Sequence, residues 1–165
     1  MRTWRLLRFY SLADLIILMT YAENRKAWHD YEIIETFEAG IVLEGHEVKS
    51  VKTGKISIAG SYIKISDGEV FLVGSTISPY QPKNTPKDYD SQRNRKLLLN
   101  KKEIDGLIGK SKEKGLTVVP LKAYNKKGRI KIEIGLAKAR KKRDKRDVIK
   151  KKEEQRKIER TLKQY

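Results

Sequence analysis

The sequence predicts a mainly β body with a few short packed helices, followed by a strongly basic C-terminal tail. Three observations predict it: short runs rich in β-branched and aromatic residues set apart by turn signals, two brief segments with helical spacing, and an uneven spread of charge. The 165 residues hold 38 Lys+Arg against 21 Asp+Glu, a net charge of +17. Residues 136–165 hold 14 Lys+Arg against 5 Asp+Glu, so +9 of that excess sits in the last 30 positions. Such a field favours a polyanionic partner, nucleic acid first and an anionic membrane surface second. No stretch reaches the roughly 20 apolar residues that span a bilayer, so no membrane partner is expected. The absence of cysteine excludes a disulfide framework, a thiol nucleophile and a Cys-based zinc site, and fits a cytoplasmic protein.

Residues 1–18, MRTWRLLRFYSLADLIIL, combine arginines with an apolar run as a secretory signal does. Asp14 interrupts that run and no small-residue cleavage site follows, so the segment is read as an upstream extension, with Met19 as the native start. The body is expected over 19–136 and the tail over 137–165. Tyr31 to Phe37 and Gly40 to Leu43 form one long bent strand or two, with an acidic kink at Glu38-Ala39. Leu43, Glu47, Val48 and Val51 then take helical spacing up to Gly54, which predicts a short helix plugging one end of the sheet.

Ile58 to Ile65 and Val70 to Val73 flank Asp67-Gly68, a pair suited to the positive φ of a type I′ hairpin turn. Residues 76–94 carry Pro79, Pro82 and Pro86 and read as a long mobile loop. Asn100 with Glu103 is a capping-box start for a second helix through Ile104, Leu107 and Ile108, closed near Lys112, Lys114 and Gly115. Leu116 to Tyr124, the turn Asn125 to Gly128, and Arg129 to Leu136 complete a last hairpin. About six strands with two packed helices suggest a small closed barrel of the oligonucleotide-binding (OB) type, although the count alone fits a sandwich equally well. The tail has no Gly or Pro after Gly135, and only Ile158, Leu162 and Tyr165 recur on one helical face. A tail disordered alone and helical on a partner is expected.

Little points to catalysis or to a bound cofactor or metal. Gly109-Lys110-Ser111 lacks the earlier glycine of a phosphate loop, Ile104 standing in its place, and ends a helix instead of opening one. His29 and His46 belong to no metal-binding pattern and are read as surface or RNA-facing residues. Glu32, Glu35 and Glu38 fit solvent-facing strand carboxylates better than an acid/base pair. A non-enzymatic binding protein is the expectation.

Four ordered strings resemble one family: NRKAWHDYEIIETFEAGIVLEGHEVKSVKTGKISI, GEVFLVGSTISPY, RKLLLNKKEIDGLIGK and GLTVVPLKAYNKKGRIKIEIGLAKARKKRDKR. Over Asn24 to Leu162 the chain is similar to the small protein B (SsrA-binding protein) family. The resemblance implies an OB-fold barrel that grips the tRNA-like domain of transfer-messenger RNA on its elbow and D-loop side, replacing the missing anticodon arm. It further implies delivery of that RNA to stalled ribosomes for trans-translation, with elongation factor Tu an indirect partner through the aminoacylated RNA and a monomer in a 1:1 complex. Asn24, Arg25, Lys26, Glu38, Leu98 and Lys131 then contact RNA: Glu38 by accepting hydrogen bonds, Leu98 by supporting an unstacked base, Lys131 by binding phosphate. The loop from Gln81 to Gln92 departs from the family pattern.

By the same resemblance the tail enters the empty messenger channel of the 70S ribosome near the decoding centre. Lys138, Lys141, Lys142, Arg143, Asp144, Lys145 and Arg146 would contact the ribosome, with Asp144 to Arg146 matching the family's Asp-Lys-Arg motif. Arg143 stands where the family more often has an aromatic residue or His able to stack, a role open to a guanidinium. Val148, Ile149, Ile158 and Leu162 would line the induced helix. A structural ribosomal protein would share this barrel-and-extension plan. A general single-strand binder would need a row of exposed aromatics, for which Trp28, Tyr31, Tyr62 and Tyr80 are too scattered.

Overall fold

In the computed structural model the described residues are 19–82, 86, 88–113, 115–141 and 154. Strand β1 (Thr20–Glu23) leads into helix α1 (Arg25–Asp30) and the long strand β2 (Tyr31–Ile41). Helix α2 (Gly45–Lys52) follows, then β3 (Ile56–Ser57), β4 (Tyr62–Ser66), β5 (Glu69–Val73) and β6 (Thr76–Ile77). Strand β7 (Arg95–Leu98), helix α3 (Lys101–Ser111), β8 (Leu116–Lys126) and β9 (Arg129–Ala139) complete the described elements. The mainly β expectation holds, while β1 and α1 fall where the sequence predicted no strand or helix.

The expected closed barrel needs correction. Seven strands pair antiparallel in the order β1-β8-β9-β2-β7-β5-β4, and the edge strands β1 and β4 are not hydrogen-bonded to each other. The physical reason lies in length. Strand β1 has four residues and spends its pairing on β8, while β3 and β6 form a separate two-stranded ribbon beside it. The sheet curls far enough for β4 to approach β8, and side-chain packing fills the interior: Leu72, Leu97, Leu107, Ile132 and Ile134 are fully buried.

Turn chemistry fixes the registers. Asp67 and Gly68 take φ of 54° and 73°, and Lys127 and Gly128 take 50° and 80°, so both hairpins close through two-residue turns with positive φ throughout. The second turn is tighter than the four residues expected, and β9 continues past Leu136 to Ala139. Strand β2 is continuous through Glu38-Ala39; its irregularity falls between Ile33 and Glu35. Both α2 and α3 open with capping boxes, Glu44 with Glu47 and Asn100 with Glu103.

Glu47 does more than cap. It is completely buried, as is Arg95 on β7, and its Oε1 accepts from Arg95 Nη2 at 2.8 Å and Nε at 3.1 Å. Arg93 bonds both carboxylate oxygens, and the Tyr89 hydroxyl lies 3.2 Å from Oε1 and donates to the Ile77 carbonyl at 2.9 Å. Arg95 also donates to the carbonyls of Ser75 and Ser91, each at 2.9 Å. One buried ion pair therefore ties α2 to β7 and to the 76–94 segment. The described part of that segment, expected as a long loop, is anchored where Tyr89 and Arg93 return to the carboxylate and β6 pairs with β3.

Burial alone would raise the Glu47 pKa, but hydrogen bonds from Arg93, the Glu44 amide and Arg95 outweigh it and hold the group down to about 2. A carboxyl at its ordinary 4.5 when unfolded and lower when folded adds stability that is complete above pH 4.5 and lost as pH falls toward 2. Glu47→Gln should cost about 3 to 5 kcal/mol at neutral pH by leaving Arg95 buried without its counter-charge, and should flatten this acid limb. Urea unfolding of both proteins across pH 2 to 7 checks it; an acid limb of the same depth in the variant would contradict the assignment.

Candidate nucleic-acid interface

Alternation along β2 decides what faces outward. Phe37, Ala39 and Ile41 pack into the core, which turns Glu38 and Gly40 to the outer face. Directly paired residues share a face, and Gly40 pairs with Leu98 of β7 on one side and Lys131 of β9 on the other. Lys131 pairs in turn with Tyr124 of β8. The row therefore reads Leu98, Gly40, Lys131, Tyr124. The structure brings together three of the six RNA contacts expected: Glu38, Leu98 and Lys131.

Gly40 supplies the floor of this row. A Cβ there would lie 3.3 Å from the Leu98 Cβ, so the missing side chain is what lets Leu98 and Lys131 flank an open step. Leu98 is 53% exposed, large for an apolar side chain on a paired strand. Beside it opens a concavity of about 360 Å³, apolar on the side of Ile41, Leu43, Val48 and Leu98 and basic at Arg129 and Lys131. Apolar surface rimmed by cations can hold a base face and its phosphates together.

Glu38 lies one residue pair along. Its Oε2 accepts hydrogen bonds from the Tyr124 hydroxyl and from Lys126 Nζ at 2.7 Å, while Lys131 Nζ stands 3.7 Å from Oε1. Hydrogen bonds from Lys126 and Tyr124 keep the carboxyl below its ordinary pKa despite partial burial. Burial and the Glu38 hydrogen bond push the Tyr124 phenol well above 10, so it remains a donor. The next pair outward, Lys122 with Glu133 at 2.8 Å, places a third ammonium 5.4 Å from the Tyr124 ring.

The other expected contacts belong to α1 and its N-cap, which cover part of the same outer face. The Asn24 side chain is spent inside the fold: Oδ1 accepts from the Ala27 amide at 3.1 Å, and Nδ2 donates to the Pro120 carbonyl at 3.0 Å. It caps α1 and is buried, whereas Arg25 and Lys26 are exposed. Ala27 packs on Val119, Leu121 and Ala137, which holds the helix against the sheet. Lys138 lies in β9 opposite Glu32, and Lys141 is exposed just beyond the strand. Lys142, Arg143, Asp144, Lys145, Arg146, Val148, Ile149, Ile158 and Leu162 lie outside the described residues.

Tyr124, Lys126, Lys122 and Arg129 were missed from sequence. The period-two alternation of KAYNK and RIKIE, which sends Lys122, Tyr124 and Lys126 and then Arg129, Lys131 and Glu133 to one face, could have found them. Glu32 is exposed and Glu35 is paired with Lys110, so the three strand glutamates form no acid/base pair. His29 lies 2.9 Å from Asp30, and His46 stacks edge-on against Tyr89 at 4.6 Å. Among the described residues no group of three or more His, Cys, Asp or Glu could hold a metal, and no helix is long and apolar enough to cross a membrane.

Fold and surface together define a small antiparallel β protein that carries lysines, a phenol and a leucine on one curved sheet face. A family model described as SmpB protein matches residues 21–164. The SsrA-binding protein of Geobacillus thermodenitrificans is 51% identical over 143 residues, 87% of this chain and 92% of that one. The SsrA-binding protein of Enterococcus faecalis is 52% identical over 142 residues, 86% and 92% of the two chains. A solved chain described as "tmRNA-SmpB: a journey to the center of the bacterial ribosome" is 48% identical and superposes with a TM-score of 0.61 over 76% of this chain and 86% of that one. The chain belongs to the SmpB protein family.

The two outer-face glycines should respond differently to a methyl group. A Cβ at Gly135 would meet Leu121 Cδ1 at 3.0 Å and Ile33 Cγ2 at 3.2 Å beneath α1, so Gly135→Ala should cost about 1 to 3 kcal/mol by overpacking. Gly40→Ala should cost less than about 1 kcal/mol, since its closest contact, Leu98 Cβ at 3.3 Å, needs a shift of only a few tenths of an ångström on a half-exposed residue. Equilibrium urea unfolding measures both, and equal costs would contradict the difference in packing.

Proposed function

We propose that this chain binds transfer-messenger RNA (SsrA RNA) through its tRNA-like domain and delivers it to stalled ribosomes for trans-translation, without catalysing a reaction itself. The observation that carries the proposal is the half-identity to SsrA-binding proteins over 87% of the chain. The row of Leu98, Gly40 and Lys131 supports it from the side of geometry, because it joins an apolar step to a cation on one sheet face. In this account Leu98 supports an unstacked base, Lys131 and Arg129 take phosphates, and Arg25 and Lys26 extend the phosphate contacts beside α1. Asn24 contributes by fixing α1.

The body then stands where an anticodon arm would, one copy per RNA, in the cytoplasm. Elongation factor Tu joins only through the aminoacylated RNA. The tail beyond β9, with Lys141, Lys142, Arg143, Asp144, Lys145 and Arg146, enters the messenger channel left empty on a stalled ribosome, while Lys138 stays with the body in β9. Val148, Ile149, Ile158 and Leu162 form the apolar side of a helix that orders there. An intact messenger excludes the tail sterically, so occupancy of the channel reports stalling.

Two expectations follow for RNA binding and tagging. Leu98→Ala and Lys131→Ala should each weaken binding to the tRNA-like domain about tenfold, and the lysine variant should also lower the salt slope by about one. Replacing Asp144, Lys145 and Arg146 together should leave that affinity within about threefold while abolishing peptide tagging on stalled ribosomes in a reconstituted assay. Equal loss of affinity in the tail variant would contradict the division between body and tail.

A further inference from the structure

The Glu38 carboxylate faces a partner that, on the function proposed above, is a polyanion. A carboxylate in such a position repels phosphate unless it makes a compensating contact, and an ionised carboxylate only accepts hydrogen bonds. About half of that acceptor capacity, the Oε2 side, is used within the sheet. The Tyr124 hydroxyl and Lys126 Nζ occupy Oε2, and Lys131 Nζ approaches Oε1. Lys126 comes from the end of β8 and Lys131 from β9, across the Lys127-Gly128 turn, so the carboxylate bridges the two arms of one hairpin.

We infer that Glu38 is a positioning residue: it acts on RNA through Lys126 and Lys131, which it holds as a paired ammonium clamp for backbone phosphate, with Tyr124 fixing the carboxylate. Each lysine side chain has four rotatable bonds, and tethering both to one anchor lowers the conformational freedom lost when phosphate arrives. The carboxylate is held by a phenol that is itself buried to 8% exposure, so the anchor is more rigid than the groups it orients. Each ammonium keeps further donors for an incoming oxygen, since a lysine carries three. Net charge at the clamp is +1, enough to attract phosphate, with the alignment supplying the remainder.

The experiment is a double-mutant cycle on the full chain, with the tRNA-like domain of transfer-messenger RNA as the probe. Glu38→Gln should lower affinity about tenfold in the wild-type background and change it by less than about twofold once Lys126→Met and Lys131→Met are present. Tyr124→Phe, which removes only the hydroxyl that steadies the carboxylate, should show a smaller loss with the same dependence on the lysines. Unchanged thermal unfolding of each variant separates these losses from misfolding. A tenfold loss that persists without the lysines would make Glu38 a direct RNA contact and overturn the inference. Equal or tighter binding by Glu38→Gln would overturn it as well. The cycle can be read on ordinary tRNA too, so a missing preference for the tRNA-like domain would defeat the proposed function and leave the clamp testable.

Discussion

Two opposite charges buried beneath the sheet, Glu47 and Arg95, set where the outer face can form. Strand β7 has four residues, with Arg95 at one end and Leu98 at the other. Arg95 is held by Glu47 from α2 and by the carbonyls of Ser75 and Ser91, so the strand cannot slide along β2 without breaking that network. Because side chains alternate with period two, a slip of one residue would carry Leu98 inward and Leu97 out. The exposed leucine is thus fixed by a buried ion pair on the opposite side of its strand. Replacing such a pair by apolar residues is often neutral for stability, which makes the register of β7 its more specific contribution.

The outer face repeats the same pairing of charge at the surface, with different consequences. Lys122 with Glu133, and Lys126 and Lys131 with Glu38, alternate cation and carboxylate across β8, β9 and β2. Exposed pairs of this kind contribute little to folding, typically below about 1 kcal/mol. Their value lies in orientation: lysines fixed on a paired sheet present a defined pattern of charge. On the proposed function the body would discriminate by shape and the tail would respond to an open channel, and over half of the excess charge is placed after residue 135.

How much of this was legible in the sequence follows from how local each signal is. The Asp67-Gly68 turn, the Asn100 and Glu103 capping box and the α2 spacing are satisfied within a few residues, and they appear as expected. Strand β1 and helix α1 were missed because their stability is tertiary: Asn24 bonds to Pro120 and Leu121, almost a hundred residues away, and Ala27 is a small residue whose burial needs the sheet beneath it. The 76–94 segment misled through its prolines, since its anchors, Tyr89 and Arg93, find their partner Glu47 more than forty residues earlier. Leu98 and Lys131 were placed by family resemblance. That they meet across Gly40 is a property of register, which no single strand's pattern contains.

The central claim is that a defined surface, and not charge alone, selects one folded RNA. The most direct test is a titration of the full chain with the tRNA-like domain of transfer-messenger RNA at rising salt, with ordinary tRNA and random duplex RNA as competitors. The account predicts a preference for the first RNA that survives as salt weakens all three. Equal affinities that fall together with one steep salt slope would contradict it, and would leave the +17 charge as the whole basis of binding.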